Sequence, residues 1–202
     1  MMKLYHSAQS RSVRPKWLLE EIGAPYETVS LNLQAQDQKK PEYLKLNPNG
    51  AVPTLVDGDL VLFESAAICQ YLADKFPDKH LAPAVGTPAR GQYYQWIHFA
   101  MSGLEPPAVM IFLHTAMKPE AERIPSLVTE ARTQLGAALK VVDAALAGRE
   151  YILGKEFTAA DVMVGSTLNW CQMMGMIDGS VANVQAYLGR LAARPAAQRA
   201  LA

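Results

Sequence analysis

Three serines and two arginines crowd into "SAQSRSVRP", residues 7–15, between the apolar start "MMKLY" and "KWLLEEIGAPYE", which has helical spacing. Hydroxyls and a guanidinium grouped where a strand hands over to a helix can donate to an anion, because the first amides of a helix lack intrahelical acceptors and carry partial positive charge. Two other stretches share this character. In "NGAVPTL" the Val52–Pro53 step precedes a strand, where an X-Pro bond can be cis and expose backbone groups in a turn; an edge proline is the plainer reading. In "FESAAICQYL" the pair Glu64–Ser65 stands at a strand-to-helix junction, so that Ser65 caps the helix while free amides and a hydroxyl face an anion.

The elements that must position these groups follow from periodicity. Residues 3–6 read as a short strand, and residues 12–22 as a helix with Val13, Trp17, Leu18, Leu19 and Ile22 at helical spacing, stopped by Gly23. "YETVSLNL" reads as a second strand, so the opening is a βαβ unit with parallel pairing and a right-handed crossover. A turn at Asn47–Gly50 leads to "PTLV" and "LVLF", joined by Asp57-Gly58-Asp59 as a hairpin, and a helix follows from about Ser65 with Ile68, Cys69, Leu72 and Phe76 on its face. "PDKHLAPAVGTPA" has no periodicity and reads as a linker. Beyond it only helical periods occur, with Val128, Ala131, Leu135, Leu139, Val142 and Leu146 forming one stripe. The expected organisation is an α/β domain over residues 1–78, a linker over 79–87 and an all-helical domain over 88–202.

With 202 residues, half of them apolar, the chain can bury a sizeable core. Its 19 basic and 19 acidic residues balance, so no bulk field draws it to nucleic acid or to an anionic membrane, and a small or neutral partner fits better. The start lacks the pattern of a secretory signal and no later stretch reads as apolar enough to span a bilayer, which gives the expectation of a soluble cytoplasmic protein. Cys69 and Cys171 are far apart and the four histidines are scattered, an arrangement that argues against both a disulfide framework and a metal site.

In order and spacing, "LYHSAQSRS", "LEEIGAPYE", "PEYLKLNPNGAVPTL", "LFESAAICQYLADKF" and "FTAADVMVGS" together resemble the cytosolic glutathione S-transferase family, its bacterial members in particular, over essentially the whole chain. The resemblance implies a thioredoxin-like amino-terminal domain that binds glutathione as co-substrate, an all-α carboxy-terminal domain supplying most of a site for small apolar electrophiles, and a homodimer. By the same resemblance Val52, before a cis Pro53, pairs its backbone with the cysteinyl part of glutathione, as an added strand would. Glu64 and Ser65 match the acidic-serine pair holding the γ-glutamyl end. "QDQKKPEYL" matches the loop meeting the glycyl carboxylate, with Lys39 favoured, Gln38 beside it, and Lys40 equal on charge alone. Thr158 and Asp161 match a structural capping box.

Serine-type members place a hydroxyl just after the first strand, and the spacing from "LY" favours Ser10 as donor to the glutathione sulfur; Ser12 is either the helix cap or the sulfur ligand itself. Lowering a thiol pKa from ~8.5 by about two units takes roughly 2.7 kcal/mol. One hydrogen bond to a charged acceptor supplies about 1.5–3 kcal/mol and a helix terminus ~1 more, so neither metal nor general base is required. Cysteine-type members carry their nucleophile where this chain has Arg11, whose charge either sits in solvent or helps hold a thiolate. Tyr5 lies inside the strand, in a core or interface position. The electrophile site falls by resemblance on Phe99, Met101, Leu104 and Glu105. Conjugation to electrophiles, with glutathione-dependent peroxide reduction as a related activity, is the expected function; a non-catalytic regulatory protein of the same fold and a glutathione-dependent disulfide oxidoreductase are the alternatives.

Overall fold

The computed structural model describes residues 1–201; Ala202, the last residue of the expected helical domain, lies outside them. Two compact units form, one from Met1–Ala82 together with the C-terminal residues from Ala192, the other from Pro83–Leu191.

In the first unit, β1 (Met2–His6) alternates, with Met2, Leu4 and His6 buried, while α1 (Val13–Ile22) buries Trp17, Leu18, Leu19 and Ile22. Gly23 ends α1 at φ +72°, donating its N–H to the Leu19 carbonyl at 2.9 Å, a conformation that costs any residue with a Cβ. β2 (Tyr26–Ser30) returns parallel to β1, as the βαβ reading requires. After a short helix α2 (Pro41–Leu44), β3 (Thr54–Asp57) and β4 (Leu60–Phe63) form the hairpin, with Asp57 opposite Leu60 and Gly58 at φ +61° between them. The sheet order is β2-β1-β3-β4, with β3 antiparallel to both neighbours.

α3 (Ser65–Lys75) follows β4 and packs on α1, sealing a core of Leu4, Leu18, Leu19, Leu55, Ile68, Cys69 and Leu72. The last helix of the chain, α9 (Pro195–Leu201), also packs on α1, bringing small buried residues Ala196, Ala197 and Ala200 close to it. Arg194 holds Glu21 through two bonds of 2.7 and 2.8 Å, and Arg199 meets Glu20 at 2.7 Å.

The second unit is helical throughout, with one isolated bridge between Tyr151 and Gly154. α4 (Pro88–Phe99) runs through a π segment (Ala100–Leu104) into α5 (Glu105–Phe112) and a second π segment (Leu113–Met117). These pieces make one 30-residue helix, Pro88–Met117, which by length and composition is apolar enough to cross a membrane; 44% of its apolar window is buried inside the protein. The expectation that no stretch would qualify is thus corrected; the helix carries Glu105, Pro106 and Pro107 in its middle, directly after the first π segment. α6 (Pro125–Leu146) buries Ala131, Leu135, Leu139, Val142 and Leu146 along the expected stripe and packs on α5. α7 (Ala159–Met173) packs on α4, and α8 (Ala182–Ala192) is anchored by Asp143, which accepts from the Asn183 and Val184 amides at 2.8 and 3.0 Å.

Thr158 and Asp161 form the expected capping box at the start of α7. Asp161 does more: fully buried, it accepts from the Ile152 and Thr158 amides and from the Tyr187 hydroxyl, each at 2.8 Å. Burial pushes its carboxyl pKa up against the downward pull of those donors. Asp161→Ala leaves the three donors without an acceptor and is expected to cost about 3 kcal/mol or more. Urea unfolding of the two proteins compares them, and a loss below ~1 kcal/mol would contradict this account of the α7 start.

Candidate functional site

The strand register collects the site. Tyr5 pairs with Thr54, and Thr54 with Phe63, so the end of β1, the start of β3 and the end of β4 lie at one edge of the first unit. The segments that leave or enter there are Ser7–Ser12, Ala51–Pro53 and Glu64–Ser65, the three stretches singled out from sequence. A direct bond ties two of them, since Arg14 Nη1 in the first turn of α1 donates to Ser65 Oγ in the first turn of α3 at 3.1 Å, both residues being buried.

Glu64, not Ser65, occupies the N-cap position of α3, with φ +71° and no side-chain cap, which corrects the expectation that Ser65 caps the helix. Ser65 lies one residue inside, and its hydroxyl accepts from the buried Arg14 guanidinium, leaving its own proton to donate. The first amides of α3 have no side-chain cap, and a carboxylate is the natural acceptor for them. Glu64 itself is exposed and can meet a cation. A non-glycine residue in the left-handed region costs on the order of 1 kcal/mol or more, a strain that tends to mark sites of function.

The Val52–Pro53 bond is cis. Val52 is half-buried, and its backbone makes no hydrogen bond among the described residues, so a donor and an acceptor stand ready at the entrance of β3. The turn before it is held from within. Buried Tyr43 and Asn47 both donate to the Ala51 carbonyl, at 2.6 and 2.8 Å, and both reach Thr54 Oγ1. Gly50, at φ +56°, lets Lys39 lie against this turn: a Cβ there would stand 2.8 Å from Lys39 Nζ and 2.9 Å from the Gln38 carbonyl. Lys39 Nζ reaches the Asn49 carbonyl at 3.3 Å, whereas Lys40 is paired with Asp37 at 2.7 Å, which separates two lysines that charge alone did not. Gln38 Oε1 is buried without a hydrogen-bond partner.

Ser10, Arg11 and Ser12 form the turn into α1, after Gln9 reverses the chain at φ +56°. Ser12 stands at the N-cap position in helical backbone geometry, but its buried hydroxyl makes no cap bond. Instead it contacts His6 Nδ1 at 2.7 Å, Ser10 Oγ at 2.7 Å and the Ser7 amide at 3.0 Å. The half-buried Ser10 hydroxyl also reaches the Ser7 carbonyl at 2.7 Å, and Arg11 is exposed. Burial, aided by Lys16, holds the His6 imidazole below its ordinary range. Tyr5 points away from the hydroxyls and packs on Tyr43 with ring centroids 5.4 Å apart.

His6 and Arg14 are the residues that sequence reasoning missed. Each carried a signal: His6 shares the inward parity of Met2 and Leu4 on β1, and Arg14 stands on the Leu18–Ile22 stripe of α1, where a charge needs a buried acceptor.

In the second unit Phe99 and Met101 are partly exposed, Leu104 is fully buried and Glu105 is 6% exposed. Phe99 packs edge-on against Trp96, centroids 5.5 Å apart, and lies against Gly103, where a Cβ would come within 2.9 Å of its ring. Among the described residues no group of three or more acidic, histidine or cysteine side chains could hold a metal ion.

A small mixed sheet of thioredoxin type, carrying an anion-accepting helix terminus and a hydroxyl cluster at one edge and followed by a helical unit, defines the class of protein. The N-terminal domain model of glutathione S-transferases matches residues 1–74 and the C-terminal domain model residues 104–195. The chain belongs to the glutathione S-transferase family of enzymes. It is 33% identical to glutathione S-transferase GST-4.5 of Xanthomonas campestris over 99% of its length and 97% of that protein, and 31% identical to GstA of Escherichia coli O157:H7 over 99% and 97%. Among solved structures, a theta class glutathione S-transferase from Xanthomonas axonopodis with glutathione bound superposes with a TM-score of 0.87 at 34% identity, covering 99% of this chain and 96% of the other. A family member from Pseudomonas fluorescens with two glutathiones bound gives 0.89 at 30% identity, covering 99% and 92%.

Both cysteines are buried, and burial pushes the Cys69 thiol pKa up to about 12. Neither is expected to react with Ellman's reagent at pH 8 in the folded protein, while both react in denaturant. Prompt release of one equivalent of chromophore from the native protein would contradict this burial.

Proposed function

We propose that this protein is a glutathione S-transferase that activates the thiolate of glutathione and transfers it to small apolar electrophiles, working as a cytoplasmic homodimer. The observation that carries the reading is the single sheet edge where unpaired backbone at Val52, the uncapped start of α3 after Glu64 and the Ser10 hydroxyl meet. Each supplies the complement of one part of glutathione. The α3 amides and the Ser65 hydroxyl take the γ-glutamyl carboxylate, Glu64 takes its ammonium group, and Val52 pairs with the cysteinyl backbone. Lys39, with Gln38 beside it, meets the glycyl carboxylate. Ser10 then stands next to the sulfur and lowers the thiol pKa by donating to the thiolate, with Arg11 adding positive charge from the turn.

Phe99 and Met101 offer the accessible apolar surface of the helical domain to the electrophile, backed by Leu104 and bordered by Glu105; a methionine beside an aromatic ring adapts to substrates of varied shape. Conjugation is the main reaction, and reduction of hydroperoxides by the same thiolate is a secondary one. We take the domains as 1–78 and 88–202 about a 79–87 linker, with the residues from Ala192 returning to the first compact unit.

Calorimetry on the wild-type protein tests the reading first: glutathione binding at millimolar affinity or tighter is expected, and its absence would sink the catalytic reading. Glu64→Gly removes the carboxylate and also relieves the positive φ, so it is expected to weaken glutathione binding at least tenfold with no loss of thermal stability. Ser10→Ala is expected to leave affinity nearly unchanged and to raise the bound thiol pKa by about one to two units, read from thiolate absorbance against pH. A panel of halides, epoxides, isothiocyanates, hydroperoxides and disulfides separates conjugation from peroxide or disulfide reduction. Light scattering at micromolar concentration is expected to report a dimer, and a monomer would refute the assembly proposed.

A further inference from the structure

Three contacts of 2.7 Å run end to end through the hydroxyl cluster: His6 Nδ1 to Ser12 Oγ, Ser12 Oγ to Ser10 Oγ, and Ser10 Oγ to the Ser7 carbonyl. Each needs one proton. The two hydroxyls supply two, and a carbonyl supplies none. Were the neutral imidazole protonated on Nε2, Ser12 would have to donate inward to Nδ1, and the one proton of Ser10 could not serve both Ser12 and Ser7. One of the short contacts would then bring two acceptors together. A proton on Nδ1 provides the third donor, and all three contacts are satisfied with every donor pointing the same way, from His6 to Ser12 to Ser10 to Ser7.

The neighbouring amides fit this direction. Ser7 N–H donates to Ser12 Oγ at 3.0 Å and Ser12 N–H to Ser10 Oγ at 3.2 Å, so that each hydroxyl donates once and accepts twice, the full capacity of a serine oxygen. The Ser7 carbonyl also lies 3.0 Å from Ser12 Oγ, a longer contact than the one through which Ser10 serves it. His6 is buried on the inward face of β1 and fixed there by the strand, with Lys16 the charged neighbour that disfavours a second proton on its ring.

We propose that His6 is a positioning residue: as the Nδ1–H tautomer it orients the Ser12 and Ser10 hydroxyls outward, so that the last proton of the chain, on Ser10, is the one a glutathione thiolate receives as a hydrogen bond. The proposal rests on the glutathione reading for the identity of that acceptor. When the sulfur arrives, the Ser10 proton turns from the Ser7 carbonyl toward it, while Ser12 goes on donating to Ser10 and His6 to Ser12. No proton changes owner and no covalent bond is made or broken. The alternative tautomer would turn the Ser12 proton inward to Nδ1, so that the one proton of Ser10 would be divided between Ser12 and the sulfur with no donor behind it. Donors aligned in one direction also polarise one another, which strengthens the terminal bond.

Two measurements test this. Nitrogen–proton correlation spectra of the ligand-free protein read the His6 tautomer without glutathione, and the expected result is a protonated Nδ1 at neutral pH; a protonated Nε2 overturns the inference. Thiolate absorbance of bound glutathione is then titrated in wild type, His6→Asn and His6→Phe. An asparagine amide can place an N–H where Nδ1–H stands, whereas phenylalanine has no donor. His6→Phe is expected to raise the bound thiol pKa by about one unit, a roughly tenfold loss of thiolate at neutral pH, with glutathione affinity changed less than about twofold. His6→Asn is expected to stay near wild type, a rescue that a purely structural role would not produce. Should His6→Phe fail to fold, the tautomer and the asparagine variant still decide, since a roughly tenfold loss of thiolate in His6→Asn overturns the inference. A wild-type protein that binds no glutathione overturns the glutathione reading instead, and calorimetry distinguishes that failure from a wrong tautomer.

Discussion

A buried guanidinium demands acceptors, and Arg14 finds one in Ser65, across the first turns of α1 and α3. Much of the site hangs on this bond. It ties the helix that follows the serine-rich turn to the helix that follows Glu64, two segments far apart in sequence that the sheet register has already brought to one edge. Ser65 lies one residue inside α3, where its hydroxyl serves Arg14, and Glu64 carries the strained, uncapped N-cap position. A local cap would have contributed about 1 kcal/mol to the helix, and the tertiary bond replaces it while freeing the amides for a ligand.

The same exchange of local for tertiary partners recurs at Ser12. Its place in the chain is that of a helix cap, yet its hydroxyl turns inward to His6 and outward to Ser10. The two helix termini nearest the site thus both lack a side-chain cap, whereas Thr158 and Asp161, in the second unit, form theirs in full. At α3 the first backbone amides are left available to an anion, whereas those of α1 are taken by the Ser10, Arg11 and Ser12 carbonyls of the turn before it.

The legibility of the molecule in its sequence divides along this line. β1, α1, the stop at Gly23, the parallel return of β2 and the hairpin at Gly58 were readable because each depends on near neighbours: a period, a left-handed glycine, a two-residue turn. The three stretches of the candidate site were readable as residue types, and the register places them together. The partners of those residues were not readable, because a bond spanning 51 residues, as between Arg14 and Ser65, is decided by packing. Even so, the inward parity of His6 and the place of Arg14 on an apolar stripe were visible signs of buried polar groups. The length of the Pro88–Met117 helix, which runs on through two π turns, was not legible either.

Those π turns have a consequence for how one helix can serve two neighbours. An α-helix repeats its faces with a fixed phase, so a straight rod of 30 residues would offer one continuous stripe to a single side. A turn closed by i→i+5 bonds holds more residues than an α turn and resets the angular phase of everything after it. Across Ala100–Leu104 the rod changes phase, and α4 packs on α7 while α5 packs on α6. The segment works as a rotary joint locked in one setting, letting two differently aimed stripes share a single unbroken axis.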